Sequence, residues 1–167
     1  MQSLLIVGAG SFSTEVKELA QLLGYDDIVF LDDDPAQAYC VPVVGTTADI
    51  KALRSRYDLA IVALGDNANR IKFHHELKRY GYRIPVLVHP TAYISPDAEL
   101  SPGCIIRTNV VVSSFAKVGE ASILNVGSLI DHHVTIGAGC HILMGAVVRN
   151  MAKVESMTRI ESLSLVQ

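Results

Sequence analysis

The sequence predicts two unlike halves in one chain: a small parallel α/β domain, then a repetitive all-β solenoid. Three observations carry this reading. Residues 1–88 alternate short apolar runs with amphipathic helical stretches. From residue 94 an aliphatic side chain recurs at every sixth position. The chain has 167 residues, half of them hydrophobic and 19% charged, which is enough to bury a core in each half.

In the first half, Ser3–Val7 is an apolar run that ends at Gly8, as a buried strand does. Val16, Leu19, Ala20 and Leu23 follow at helical spacing, with Gly24 as a C-terminal cap. Ile28–Leu31 is a second strand, stopped by Asp32-Asp33-Asp34-Pro35. Leu59–Leu64 is a third, stopped by Gly65. Residues 67–80 are helical, with Ile71, His74 or His75, and Leu77 on one side and Gly81 after them. Ile84–Val88 is a last strand. Strands alternating with helices give a parallel sheet covered on both faces, a small Rossmann-like domain.

The pattern changes at His89-Pro90. From Ile94, Leu100 and Ile106 through to Val166, all thirteen sixth positions are aliphatic. Two residues before each sits a small or β-branched one, such as Ala98, Cys104, Val110, Ser122 or Cys140. Six residues make one short strand and a turn. The aliphatic points inward and the small residue fits the crowded inside of the adjoining flat. Three strands close a triangular coil of eighteen, so residues 92–167 span just over four coils. This resembles the left-handed parallel β-helix of hexapeptide-repeat proteins, an exception to right-handed crossovers.

Composition excludes several classes. Net charge is −3, with 14 basic and 17 acidic residues, which is no footprint for nucleic acid. Cys40, Cys104 and Cys140 are odd in number and form no CxxC pair, so buried thiols in a reducing cytosol are expected rather than disulfides or zinc. The run Leu4–Gly8 is too short for a signal sequence or a membrane span. A cytoplasmic soluble protein follows.

Four motifs could carry chemistry. Gly8-Ala9-Gly10-Ser11-Phe12-Ser13 joins the first strand to the first helix; small residues there admit a ligand backbone and the helix start favours phosphate, or the segment is only a tight turn. Asp32 and Asp33 end the second strand, where carboxylates accept ribose or base hydrogen bonds, or form a solvated turn. Gly65-Asp66-Asn67 with Arg70 lies at the same edge, with Asp66 or Asn67 available as a helix cap. Residues 125–133, Asn-Val-Gly-Ser-Leu-Ile-Asp-His-His, put His132 and His133 on an outward turn, where an imidazole is the natural general base. Neighbouring histidines are expected to diverge there. His141 follows His132 by nine residues, half a coil, and so lies on another side of the prism. The two can meet only between subunits, which argues for a homotrimer.

Taken in order, these residues resemble the NeuD/PglD-type family of sugar acetyltransferases, which act on sialic acid or UDP-4-amino sugars in bacterial glycan synthesis. The resemblance runs over nearly the whole chain: Val7–Gly10, Phe30–Pro35, Leu64–Asn67 with Arg70, Val88–Ala92, Leu124-Asn125, Ile130–His132, Ile136-Gly137 and His141. It implies a Rossmann-like domain that holds the nucleotide sugar and a trimeric β-helix that uses acetyl-CoA, without a metal. By resemblance His132 is the general base, and His133 stands where the family has an acidic orienting residue. His141 and Gly145 lie at the acetyl-CoA site. Gly8, Gly10, Ser11, Asp32, Asp33, Gly65 and Asn125 lie on the substrate side. Backbone amides near 141–145 are expected to stabilise the oxyanion.

The chain departs from the family in two respects. His133 lacks the permanent negative charge of the usual acid. Glycines of later repeats are replaced by Leu143, Arg149, Glu155 and Glu161, and the sequence stops at Leu163–Gln167 in mid-repeat. Weak acetyl-CoA affinity and an end that packs on a partner or is poorly ordered are expected. Three rival readings follow: a non-catalytic nucleotide-sugar binder or scaffold, a zinc enzyme resembling γ-carbonic anhydrases, and an NAD-dependent enzyme. The zinc reading lacks the histidine spacing, and the NAD reading lacks a second catalytic domain.

Overall fold

The computed structural model describes residues 2–34, 36, 38–39 and 42–167, so Pro35 and Cys40 lie outside the described residues. The chain divides into two compact units, Met1–Pro85 and Val86–Gln167.

In the first unit β1 (Gln2–Val7), β2 (Tyr25–Leu31), β3 (Val43–Gly45) and β4 (Ala60–Val62) form a parallel sheet in the order β3-β2-β1-β4. β1, β2 and β4 are short and mostly buried, as expected of a sheet with both faces covered, whereas the edge strand β3 exposes Val44. Leu5, Val7, Val29 and Leu31 join one core with Ile50, Tyr57 and Leu77. Helix α1 (Ser11–Leu22) buries Val16, Leu19 and Ala20; Leu23 caps its end and is exposed, against the helical spacing in the sequence. Gly24, with φ +86°, then turns the chain back into β2. Two short elements were not legible in sequence: β3 and α2 (Ile50–Leu53).

Helix α3 (Asn67–Arg79) starts where the Asp66 carboxylate caps the Asn69 amide at 2.8 Å, so Asp66 is a helix cap. Its buried face carries Arg70, His74 and Leu77, whereas Ile71 is only half-buried and His75 is exposed. The Arg70 guanidinium donates to the carbonyls of Leu64 and Gly65 and to Asn67 Oδ1, at 2.9, 3.1 and 2.7 Å. A buried charge is tolerated when such acceptors surround it.

In the second unit fourteen two-residue strands form the three faces of a left-handed parallel β-helix. Leu87, Ile105, Ile123, His141 and Arg159 stand in register on face one. Tyr93, Val111, Leu129, Val147 and Leu165 do so on face two. Glu99, Lys117, Thr135 and Lys153 do so on face three. Each strand pairs with the one eighteen residues away, and the sixth-position aliphatics fill the interior. The expected strand Ile84–Val88 is corrected. Leu87–Val88 pairs with Ile105–Ile106 and opens the β-helix, so the division falls after Pro85 rather than at Val88.

The corners obey a rule the sequence half conceals. Every sixth residue from Gly103 to Leu163 has φ between 54° and 79°. Four of these are glycine, but Asn109, Phe115, Ala121, His133, Met151, Met157 and Leu163 adopt the same left-handed conformation. Small donors tie successive corners together: Cys104 Sγ to the Gly119 carbonyl at 3.2 Å, Ser122 Oγ to Gly137 at 3.0 Å and Cys140 Sγ to Glu155 at 3.1 Å.

Candidate active site

In the α/β unit the strand order reverses between β1 and β4, the position where such sheets bind ligands beyond their carboxyl ends. Gly8 leaves β1 with φ +104°, and a Cβ there would lie 2.7 Å from Leu64 Cδ2. Its smallness serves the turn itself. Gly10 and Gly65 differ: an added Cβ meets nothing within 4 Å at either. Their lack of a side chain answers to no protein atom and leaves open room, at Gly10 beside the exposed Ser11 that starts α1 and at Gly65 just before α3.

The two aspartates are engaged by backbone. Asp32 Oδ2 accepts the Ala9 amide at 2.6 Å and Oδ1 the Asp34 amide at 2.8 Å. Asp33 accepts the Thr47 amide and hydroxyl at 2.8 and 2.9 Å. They pin the Gly8–Gly10 loop and the segment after β3, and each carboxylate retains acceptor capacity. Beside them is a cavity of about 280 Å³, lined by Gly8, Asp32, Asp33, Thr47, Asn69, Lys72 and Phe73, among others. Thr47, Asn69, Lys72 and Phe73 were missed in the sequence. The spacing 69, 72, 73 marks one helical face and could have revealed three of them.

In the β-helix His132 and His133 occupy the corner between faces two and three. The expectation that they diverge is wrong. The left-handed φ of 59° at His133 turns its side chain back, so the two Nδ1 atoms lie 3.0 Å apart. The rings meet edge to face at 5.2 Å between centroids. Phe115, one coil earlier, lies 5.0 Å from the His133 ring. Asp131 accepts the amides of His132 and Asn150 at 2.7 and 3.2 Å, so it is a turn residue.

Asn125 lies on another corner, between faces one and two. It is buried, and its Oδ1 accepts from the Val126 amide at 2.8 Å and from Arg107 at 3.3 Å. His141 is buried on face one, opposite the corner of His132, so the two are not brought together within one chain. Gly145 holds a left-handed corner at φ +66°. The oxyanion role expected of amides 141–145 is narrowed. The amides of His141, Leu143 and Gly145 donate to the carbonyls of Thr158, Ile160 and Val126 in the coil ladder. Among the described residues no three His, Cys, Asp or Glu side chains group as metal ligands. No helix among them is long and apolar enough to cross a membrane.

Known proteins match both units. The PglD N-terminal domain family matches residues 3–77. The acetyltransferase domain of PglB from Neisseria gonorrhoeae, in complex with acetyl coenzyme A, is 30% identical; the match covers 95% of this chain and 87% of that one, with a TM-score of 0.85. A second structure of that domain is 28% identical over 100% and 92% of the two chains, at 0.88. A mutant of perosamine N-acetyltransferase from Caulobacter crescentus, in complex with CoA and GDP-perosamine, is 25% identical over 100% and 89%, at 0.87. An acyl-[acyl-carrier-protein]–UDP-N-acetylglucosamine O-acyltransferase from Chlamydia caviae is 33% identical over 63 residues, 38% of this chain. The match spans about a quarter of that relative, 23% of its length. On the matched N-terminal domain and the likeness to the PglB domain along almost its whole length, the chain belongs to the PglD-type family of hexapeptide-repeat sugar acetyltransferases.

Proposed function

We propose that this protein transfers the acetyl group of acetyl-CoA to the amino group of a nucleotide-linked amino sugar in bacterial surface glycan synthesis. The observation that carries this is the exposed His132 imidazole, whose Nδ1 is engaged by His133 at 3.0 Å so that Nε2 serves as the base. The amine lone pair attacks the thioester carbonyl, a C–N bond forms and the C–S bond breaks. The ammonium proton passes to His132 Nε2 and on to the leaving CoA sulfur. The acetyl-CoA complex of the PglB domain and the CoA and GDP-perosamine complex of the perosamine enzyme support this pairing of donor and acceptor.

The nucleotide is assigned to the α/β cavity, with Gly10 and Gly65 leaving room and Ser11 at the helix start meeting phosphate. Gly8, Asp32 and Asp33 shape the loops around it. Asn125 is assigned to the sugar side, and His141 and Gly145 to acetyl-CoA. The working form is a homotrimer. Support comes from face two, where Tyr93, Leu129 and Leu165 are exposed in line with half-buried Val111 and Val147. The outward residues of face three are charged or polar. An apolar ladder on one face is covered at low cost by a second copy. Face two runs between the corners of Asn125 and His132, so a neighbouring subunit would supply His141 there. Acetyl-CoA as donor makes the reaction cytoplasmic.

The test is acetyl-CoA with UDP-, GDP- and CMP-linked amino sugars, followed by thiol release. Turnover with one of them is expected. His132→Ala should lower kcat by roughly 10²–10⁴-fold while nucleotide-sugar binding is retained. Nucleotide-sugar binding without turnover by any of them would leave a binding protein and overturn the assignment.

A further inference from the structure

We infer that His133 is a positioning residue. It fixes the tautomer of His132 through a neutral imidazole–imidazole hydrogen bond. The inference rests on the assignment of His132 as the base. Two Nδ1 atoms 3.0 Å apart need one hydrogen between them. If His132 keeps it, His132 carries Nδ1–H and an open lone pair on Nε2, the form a base requires. His133 then accepts at Nδ1 and carries its own proton on Nε2.

Three features hold His133 in this role. Its backbone occupies the left-handed corner position, φ 59°. Its amide donates to the Ser114 carbonyl at 3.0 Å. The Phe115 ring lies against it at 5.0 Å. The partner of the His132 ring is His133 rather than Asp131, whose oxygens accept the amides of His132 and Asn150.

The consequence differs from that of a carboxylate partner. One proton added to the neutral pair is shared across the Nδ1–Nδ1 bond, which becomes charge-assisted. Both Nε2 atoms then carry hydrogen, so a single proton removes the base. The other charged groups along this corner are Asp97, Asp131 and Arg149. Arg149 stands one coil on, Asp97 two coils back, and Asp131 begins this turn.

The experiment is long-range ¹H–¹⁵N NMR of the histidine rings in the intact protein, beside steady-state kinetics. In the neutral pair His132 should show Nδ1–H and His133 Nε2–H. His133→Asn supplies a neutral acceptor at a corner conformation that Asn tolerates. It should keep the His132 tautomer and the rate. His133→Ala should lose the tautomer bias and about tenfold in kcat, with KM for the nucleotide sugar unchanged. Nε2–H on His132 in the wild-type protein would overturn the inference. Nδ1–H on His132 with no acetyl transfer to any sugar would sink the functional assignment and leave the dyad standing.

Discussion

The Ala9 amide donates to Asp32 Oδ2 at 2.6 Å, joining the loop after β1 to the end of β2. The same carboxylate holds the Asp34 amide. Asp32→Ala removes the acceptor from both. Hydrogen bonds to a charged group contribute about 1.5–3 kcal/mol each when buried, and half-burial here places the expected loss of stability near 2 kcal/mol. Nucleotide-sugar affinity should fall with it. Urea melts and calorimetry check both; unchanged affinity would free the loop from any part in binding.

Gly8 and Gly10 should separate fold from function. Gly8→Ala forces a left-handed residue against Leu64 Cδ2 at 2.7 Å and the Ala63 carbonyl at 3.0 Å. A loss of about 1–3 kcal/mol is expected. Gly10→Ala meets no protein atom, so its Tm should hold. If the nucleotide passes over Gly10, affinity drops about tenfold or more. A Gly10→Ala protein that binds nucleotide sugar normally would remove Gly10 from the site.

Leu129 is central in the apolar ladder of face two. If the proposed trimer forms through this face, Leu129→Glu should leave the β-helix folded by circular dichroism and give monomers in light scattering. Acetyl transfer should fall in parallel, because His141 would no longer be supplied across the interface. A wild-type monomer at micromolar concentration would remove the shared site.

Tyr82 donates to the Ile50 carbonyl at 2.7 Å in the α/β core. Burial pushes its pKa up to about 12, against the opposing pull of the Arg54 cation. The folded form therefore holds this proton more tightly than the unfolded chain, whose tyrosine titrates near 10. The contribution to stability is complete below pH of about 10 and is lost as pH rises through about 12. Tyr82→Phe should flatten the alkaline loss of Tm relative to wild type. Parallel losses in both proteins would place it elsewhere.

The β-helix was legible because its interior demands an aliphatic at every sixth position, and Ile94 through Val166 supply one without a gap. The dyad was not. Periodicity tells which residues point inward, but says nothing of φ at the corners, and φ brings His133 back onto His132. Glycine at 103, 127, 139 and 145 hints at the left-handed corner; Phe115 and Met151 at equivalent positions hide it. Arg70 was read as a ligand-edge residue, yet the carbonyls of Leu64 and Gly65 claim it, and only tertiary packing exposes that. Leu87–Val88 looked like one more α/β strand because a short apolar run does not reveal its partner.

The eighteen-residue pairing gives the second half of the chain something like a reading frame. Deleting one residue from a turn would shift each later aliphatic off the interior and each left-handed corner onto a strand, so the damage would spread through all the coils beyond it. Removing eighteen leaves every surviving residue in phase with its new neighbour. Lineages carrying this architecture should therefore lengthen or shorten by whole coils far more readily than by single codons. A corner such as that of His132 can ride unchanged through such edits made elsewhere along the prism.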